Sequence, residues 1–163
     1  MLIALTGTPG TGKSSVARFL RKKGYRVISL NRIIVREKMV KSCDEKRKSW
    51  IVDMKRLEKY VENLKKKYPE KTIILDSHIS HLLPVDFVIV LHCSPDELEK
   101  RLKKKRWRKE KIRENVEAEM IEVIAVEAEE MLGKERVVEI DTTSKTPEEV
   151  CKEIIEVLGK LHY

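Results

Sequence analysis

The chain has 163 residues, 41% hydrophobic and 38% charged, and its 35 Lys plus Arg outnumber 27 Asp plus Glu for a net charge of +8. That length suits one domain spanning 1–163, and the apolar share supports a packed core, which excludes intrinsic disorder and collagen-like repeats. No apolar run approaches the roughly 20 residues of a membrane-spanning helix, and Met1–Thr6 is too short for a signal-peptide core. The expectation is therefore a soluble cytoplasmic protein with no membrane partner. Cys43, Cys93 and Cys151 are far apart and odd in number, which reads as reduced, structural cysteine.

Leu2–Thr6 is a short apolar run closed by Gly, Thr and Pro, the pattern of a buried strand, and Ser14–Lys23 follows as a helix ending in Lys22-Lys23-Gly24. Tyr25–Leu30 reads as a second strand, Asn31–Val40 as a helix, and 41–49 as a charged connection. Asp53 caps a helix to about Lys67, with Leu57, Tyr60, Val61 and Leu64 at helical spacing. Thr72–Asp76 and Val85–Leu91 are continuous β-branched runs, as strands covered on both faces require. Ser94-Pro95-Asp96-Glu97 opens another helix with the signs of a capping box. A long helix from about Lys111 to Leu132 stops at Gly133, and Val137–Ile140 and Pro147–Leu161 are the last strand and helix. Strands alternate with helices throughout. The fold class is α/β, a five-stranded parallel sheet with helices on both faces, and the loops after Thr6, Leu30, Asp76 and Leu91 face one crevice.

Gly7-Thr8-Pro9-Gly10-Thr11-Gly12-Lys13-Ser14 is a complete G-x-x-x-x-G-K-S motif between the first strand and the first helix. Its glycines let backbone N–H groups converge on phosphate oxygens. Lys13 reaches the outer phosphates and Ser14 can ligate Mg²⁺. The glycines, Lys13 and Ser14 are accordingly the expected phosphate contacts. Asp76, at the tip of a strand, supplies the carboxylate that a metal–phosphate site needs, directly or through water. His78, two residues on, can position a water or a phosphate. His81 and His92 read as structural, and Trp50 and Tyr60 as packing residues.

The charge is concentrated. Lys100–Arg113 holds ten cations and one acid, so this segment carries essentially the whole net charge. Phosphoryl transfer spreads negative charge over equatorial oxygens, and Lys105, Arg106, Arg108 and Arg113 are spaced for a lid that closes over them, with Trp107 contacting a base or packing the closed lid. Arg36, after the second strand, is the candidate ligand of the phosphate acceptor. The clustered cations attract nucleic-acid backbones as well, but no aromatic stacking platform is visible in the sequence.

These residues together resemble the adenylate kinase isoenzyme 6 family, and the chain looks like an archaeal member of it. The resemblance rests on GTPGTGKSS, the Arg36-Glu37 helix, the Asp76-Ser77-His78 segment and the compact Arg101–Arg113 lid. It implies a three-layer P-loop NTPase of the nucleoside-monophosphate-kinase type, with an acceptor-binding region at about 30–52 and a short lid at about 103–113. It implies ATP plus AMP giving two ADP with Mg²⁺, broad nucleotide tolerance and ATPase activity. It also implies a part in small ribosomal subunit maturation through a platform ribosomal protein, with rRNA or pre-ribosome contacted through that partner. Lys13, Asp76, His78 and Arg106 are then the catalytic residues. Gly10, Thr11, Gly12, Lys13, Ser14, Ser15, Lys105 and Arg106 contact ATP, Arg36 holds the acceptor, and Ser14 and Asp76 serve the metal. The run Lys105-Arg106-Trp107 departs from the family's Arg, variable residue, aromatic. Lys lacks the planar bidentate fork of Arg, so either Arg106 takes the role or transfer to AMP is weaker than hydrolysis. The alternatives are a ribosome-assembly ATPase with negligible kinase turnover and a small-metabolite kinase of the same fold.

Overall fold

The computed structural model describes residues 1–46 and 49–162, with Ser49 described in its backbone only. The strands β1 (Leu2–Thr6), β2 (Arg26–Ser29), β5 (Ile73–Asp76), β6 (Phe87–His92) and β7 (Val137–Asp141) form one parallel sheet in the order β2-β5-β1-β6-β7. Side chains of a strand alternate between faces, so β1 divides its own residues between two cores. Leu2 and Ala4 join Ile73, Leu75, Val88 and Val90 on one face. There they meet α2 (Leu30–Arg36), α3 (Met54–Lys67) and α6 (Val123–Leu132) through Ile33, Leu57, Val61, Ala125 and Ala128. Ile3 and Leu5 join Ile74, Ile89 and Leu91 on the other, under α1 (Lys13–Lys22) and α7 (Pro147–Leu161). A third, small cluster of Cys93, Leu98, Leu102 and Ile112 holds α4 (Pro95–Lys104) against α5 (Lys109–Met120), with Trp107 packed on it.

The caps follow local chemistry. Asp53 accepts from the Arg56 amide at 3.3 Å, and Ser94 from the Glu97 amide at 3.4 Å. Glu97 does not complete a box with Ser94, because its carboxylate pairs with Arg101 at 3.3 Å. The reciprocal box forms instead at Thr146 and Glu149.

Three elements differ from the sequence reading. The helix read as Asn31–Val40 ends at Arg36, where Lys38 takes a left-handed φ of 51° and the Met39 amide returns to the Ile34 carbonyl. The charged connection 41–49 is largely a hairpin, β3 (Val40–Asp44) antiparallel to β4 (Ser49–Val52). Its β3 residues are mostly exposed, so no buried alternation announces a strand, and Arg47 and Lys48 lie outside the described residues. The helix 111–132 is two helices, α5 and α6, broken at Glu122 with φ 54°. Glu119 and Ala128 are nine residues apart, about half a turn out of phase on a straight helix. Only a break lets α5 turn Glu119 inward while α6 turns Ala128 onto the sheet.

Candidate functional site

Gly7 leaves β1 beneath the end of β6. A Cβ on it would stand 2.5 Å from the Leu91 carbonyl oxygen, and its φ of 149° belongs to glycine. At Gly10 a Cβ would meet Leu98 and Leu102 of α4 at 2.8 and 2.9 Å. The loop is thus pressed against both neighbours, which aims it at the crevice. Thr11 donates its hydroxyl and its amide to the Thr8 carbonyl, at 2.8 and 3.2 Å, closing the loop's inner turn. Expected among the ATP contacts, Thr11 lines the cavity but spends its side chain on loop shape. Lys13 Nζ donates to the Gly7 and Thr8 carbonyls at 2.6 and 3.2 Å. Desolvation inside the loop lowers Lys13 to about 8; Asp76 opposes this and Lys105 adds to it.

Asp76, 9% exposed, is pushed upward by burial, against the pull of Lys13 and Arg21. A cavity of about 720 Å³ opens above these groups, lined by Gly10–Val16, Asp76, His78, Arg101, Lys105, Trp107 and Thr142. A second, of about 760 Å³, lies between α2, the hairpin and α5, lined by Asn31, Ile34, Trp50, Ile51, Lys111 and Asn115. Pro9, Asn31, His78 and Trp107 border both. His78 therefore stands where the two spaces meet. Its ring is open to the crevice, yet desolvation, followed by Lys13, His81 and Lys111, lowers it to about 4, so it is neutral near pH 7.

The fold brings Gly10, Gly12, Lys13, Ser14, Ser15, Asp76, His78 and Lys105 to one cavity. Ser14 and Asp76 offer a hydroxyl and a carboxylate beside open space, an all-oxygen donor set that fits Mg²⁺ completed by phosphate and water. Among the described residues no group of three or more His, Cys, Asp or Glu could hold a metal ion. Arg106 and Arg108 do not share that position. Arg106, at a left-handed φ of 58°, and Arg108 are exposed outside both cavities, and Arg113 pairs with Glu117 at 2.9 Å on the outer face of α5. Arg36 pairs with Glu37 at 3.0 Å and faces an outer cleft rather than the crevice.

Several residues of the site escaped the sequence reading. Arg101, one cation among ten, is the one wired into the loop: its guanidinium donates to the Gly10 carbonyl (3.4 Å), the Thr142 hydroxyl (3.3 Å) and the Thr142 carbonyl (3.2 Å). Its spacing of four from Glu97 was the available signal. Trp50, read as packing, is 57% exposed and lines the second cavity. Lys111 approaches the Trp107 ring at 5.1 Å beside it. Glu119, 7% exposed, accepts from Thr8 Oγ1 at 2.5 Å and the Cys93 amide at 3.3 Å, and pairs with His92 Nδ1 at 2.8 Å. Burial opposes its ionisation, but the bonds from His92 and Thr8 hold the carboxyl below its usual range. His92, bonded also to Glu139 at 2.7 Å, is raised to about 9, chiefly by Glu119. An imidazolium thus ties α5 and β7 to the floor of the loop. His81 is structural, as read: it is buried between Thr6 (2.9 Å) and Glu127 (2.7 Å). Of the cysteines, Cys93 and Cys151 are buried and Cys43 is exposed.

Residues 3–122 match the family model of the AAA domain. A protein of Methanocaldococcus jannaschii described as "Putative adenylate kinase" is 40% identical over 97% of this chain and 86% of its own length. Relatives of the same description from Methanosarcina acetivorans and Pyrococcus furiosus are 43% and 44% identical, over 99% and 98% of this chain and 88% and 84% of their own. The chain belongs to this adenylate kinase-like family. A shikimate kinase of Acinetobacter baumannii bound to shikimate superposes with a TM-score of 0.66 over 98% of this chain and 93% of that one, at 15% identity, and shows the shared kinase fold. The family and the fold make the protein an enzyme of the P-loop kinase class. Among the described residues no helix is long and apolar enough to cross a membrane.

Proposed function

We propose that the protein is an adenylate kinase, transferring the γ-phosphate of Mg-ATP to AMP to give two ADP, with broad nucleotide tolerance and a slower ATPase activity. The observation that carries this reading is the pair of similarly sized cavities that meet at His78 beside Lys13 and Asp76. A bisubstrate enzyme needs two such spaces in line, because transfer requires the attacking and leaving oxygens on opposite sides of the moving phosphoryl group. Trp50 and Trp107 give the second space flat apolar walls that suit a nucleobase better than the small hydroxy acid of a metabolite kinase. Mg²⁺ at Ser14 and Asp76 would neutralise charge on the transferred phosphate. Lys13 and Lys105 hold the phosphate chain, and neutral His78 donates or accepts one hydrogen bond at the junction without adding charge. Arg106 joins them on closure of the lid. Arg36 reaches the acceptor phosphate by giving up Glu37; until then Lys111 is the cation there. In the cell the same turnover serves small ribosomal subunit maturation through a platform ribosomal protein, a reading supported by the family resemblance and by more lid cations than a phosphate clamp employs.

The test is ADP formation from Mg-ATP alone, with AMP, and with that ribosomal protein, using Lys13→Ala as the blank. AMP is expected to accelerate ATP consumption at least tenfold, and Arg36→Ala to raise the KM for AMP while the AMP-independent rate holds. Turnover indifferent to AMP but raised by the ribosomal protein would replace the kinase with an assembly ATPase.

A further inference from the structure

A cleft of about 580 Å³ lies along β2, away from both cavities of the crevice except at Ser29, which it shares with the ATP side. Arg21, Arg26, Arg32, Arg36 and Lys67 line it, and among the described residues no carboxylate does. These cations come from four elements and are scattered over 47 positions of a stretch that also contains acids, so only folding collects them. Arg36 pairs with Glu37, whereas Arg21, Arg26, Arg32 and Lys67 form no ion pair among the described residues. Tyr60 and Tyr68 stand among them. The Arg26 guanidinium lies 4.4 Å from the centre of the Tyr68 ring, and Lys67 approaches that ring at 5.4 Å. Four unpaired cations gathered in one groove repel one another, and an anion relieves that repulsion.

We propose that this cleft binds the sugar–phosphate backbone of single-stranded RNA, at a site separate from the catalytic crevice. Three of the four unpaired cations are arginine, whose planar fork matches phosphate oxygens two at a time. The stacked Arg26–Tyr68 pair presents the kind of surface on which an unpaired base settles. The rival occupant of a basic groove beside an edge strand is an acidic peptide adding itself to the sheet. Arg21 Nε already holds the Val27 carbonyl at 3.2 Å, taking an acceptor that such a strand would require. The sequence hid this platform because Tyr60 and Tyr68 stand far from Arg26 and Arg32 along the chain.

The experiment is fluorescence anisotropy of a labelled oligouridylate decamer with the full chain, titrated at several salt concentrations, with ADP formation assayed in parallel. Four phosphate contacts predict a log–log salt slope of about 3. The double variant Arg26→Ala/Lys67→Ala is expected to weaken binding about tenfold and halve the slope, while the rate of ADP formation stays within twofold of the native chain. The control, Lys103→Ala/Lys109→Ala, removes two exposed lid cations and should leave RNA affinity within twofold. Loss in the lid variant but not the cleft variant would move the site to the lid and overturn the proposal. Absence of binding at low salt would overturn it too, as would displacement of the RNA by excess AMP or equally well by oligoglutamate. Arg26→Lys, which keeps the charge and loses the planar stack, should retain the slope but not the full affinity.

Discussion

His92 and Glu119 show how much one residue pair carries. The 7% exposed Glu119 carboxylate has the Thr8 hydroxyl, the Cys93 amide and the His92 imidazolium around it, and Thr8 belongs to the phosphate-binding loop. Because the folded protein raises His92 from 6.5 to about 9, its protonated form binds the folded state more strongly than the unfolded chain. The resulting stability is fully present below pH 6.5 and is lost as pH rises through about 9. At 1.36 kcal/mol per unit the shift corresponds to at most about 3 kcal/mol, reduced by the partial exposure of the ring. His92→Gln should therefore lower urea-unfolding stability by about 2 kcal/mol at pH 6, with the gap from the native chain closing by pH 9.5. An equal gap at both pH values would mean that His92 is held neutral. Lys13, Ser14 and Asp76 were legible in the sequence because a phosphate-binding loop keeps its residues adjacent and a strand tip keeps Asp76 beside them. Glu119, Arg101 and Trp50 were not. One acid in a charged helix, one cation in a run of ten and one aromatic in a loop acquire meaning only from partners distant in the chain.

At the scale of elements, the strands and most helices follow from periodicity and caps, since each is bounded by residues that act on their own neighbours. The exceptions are set by tertiary demand. The hairpin β3–β4 forms on the surface beside the second cavity, and its backbone pairing needs no buried face. The α5–α6 break answers two destinations, the loop for Glu119 and the sheet for Ala125 and Ala128. Glu122 pays for that break with a left-handed backbone, which costs a residue with a Cβ roughly 1 kcal/mol relative to glycine. Glu122→Gly should accordingly leave stability unchanged or raise it by up to about 1 kcal/mol, the backbone relief being offset by the freer unfolded chain. Glu122→Val, β-branched at the same φ, should lower it by at least about 1 kcal/mol. Thermal unfolding of the two variants checks this. A stability for Glu122→Val equal to the native chain would show α5 and α6 merging into the single helix that the sequence suggests.

For the whole molecule the decisive relation is between the two cavities. Each is large enough for one nucleotide, and they share the border formed by Pro9, Asn31, His78 and Trp107, so ligands in the two would meet across that border. The short turn between α4 and α5 rests on a four-residue core with Trp107, and Trp107 faces both spaces. A compound joining two adenosines through five phosphates would occupy both at once and gather the phosphate chain under Lys13, Lys105 and Arg101. Ligands that bind only the folded state stabilise it in proportion to the logarithm of their concentration over Kd, and tethering makes the second adenosine's binding intramolecular. The bridged compound should therefore raise the melting temperature of the native chain several degrees more than ATP and AMP supplied together at the same concentration, with Mg²⁺ chelated so that turnover does not consume them. Shortening the bridge to three phosphates should remove most of that advantage, because the two adenosines then cannot reach both cavities across the His78 border. An advantage equal for both lengths would mean that one cavity binds the compound alone, and the second space would lose its role as the acceptor site.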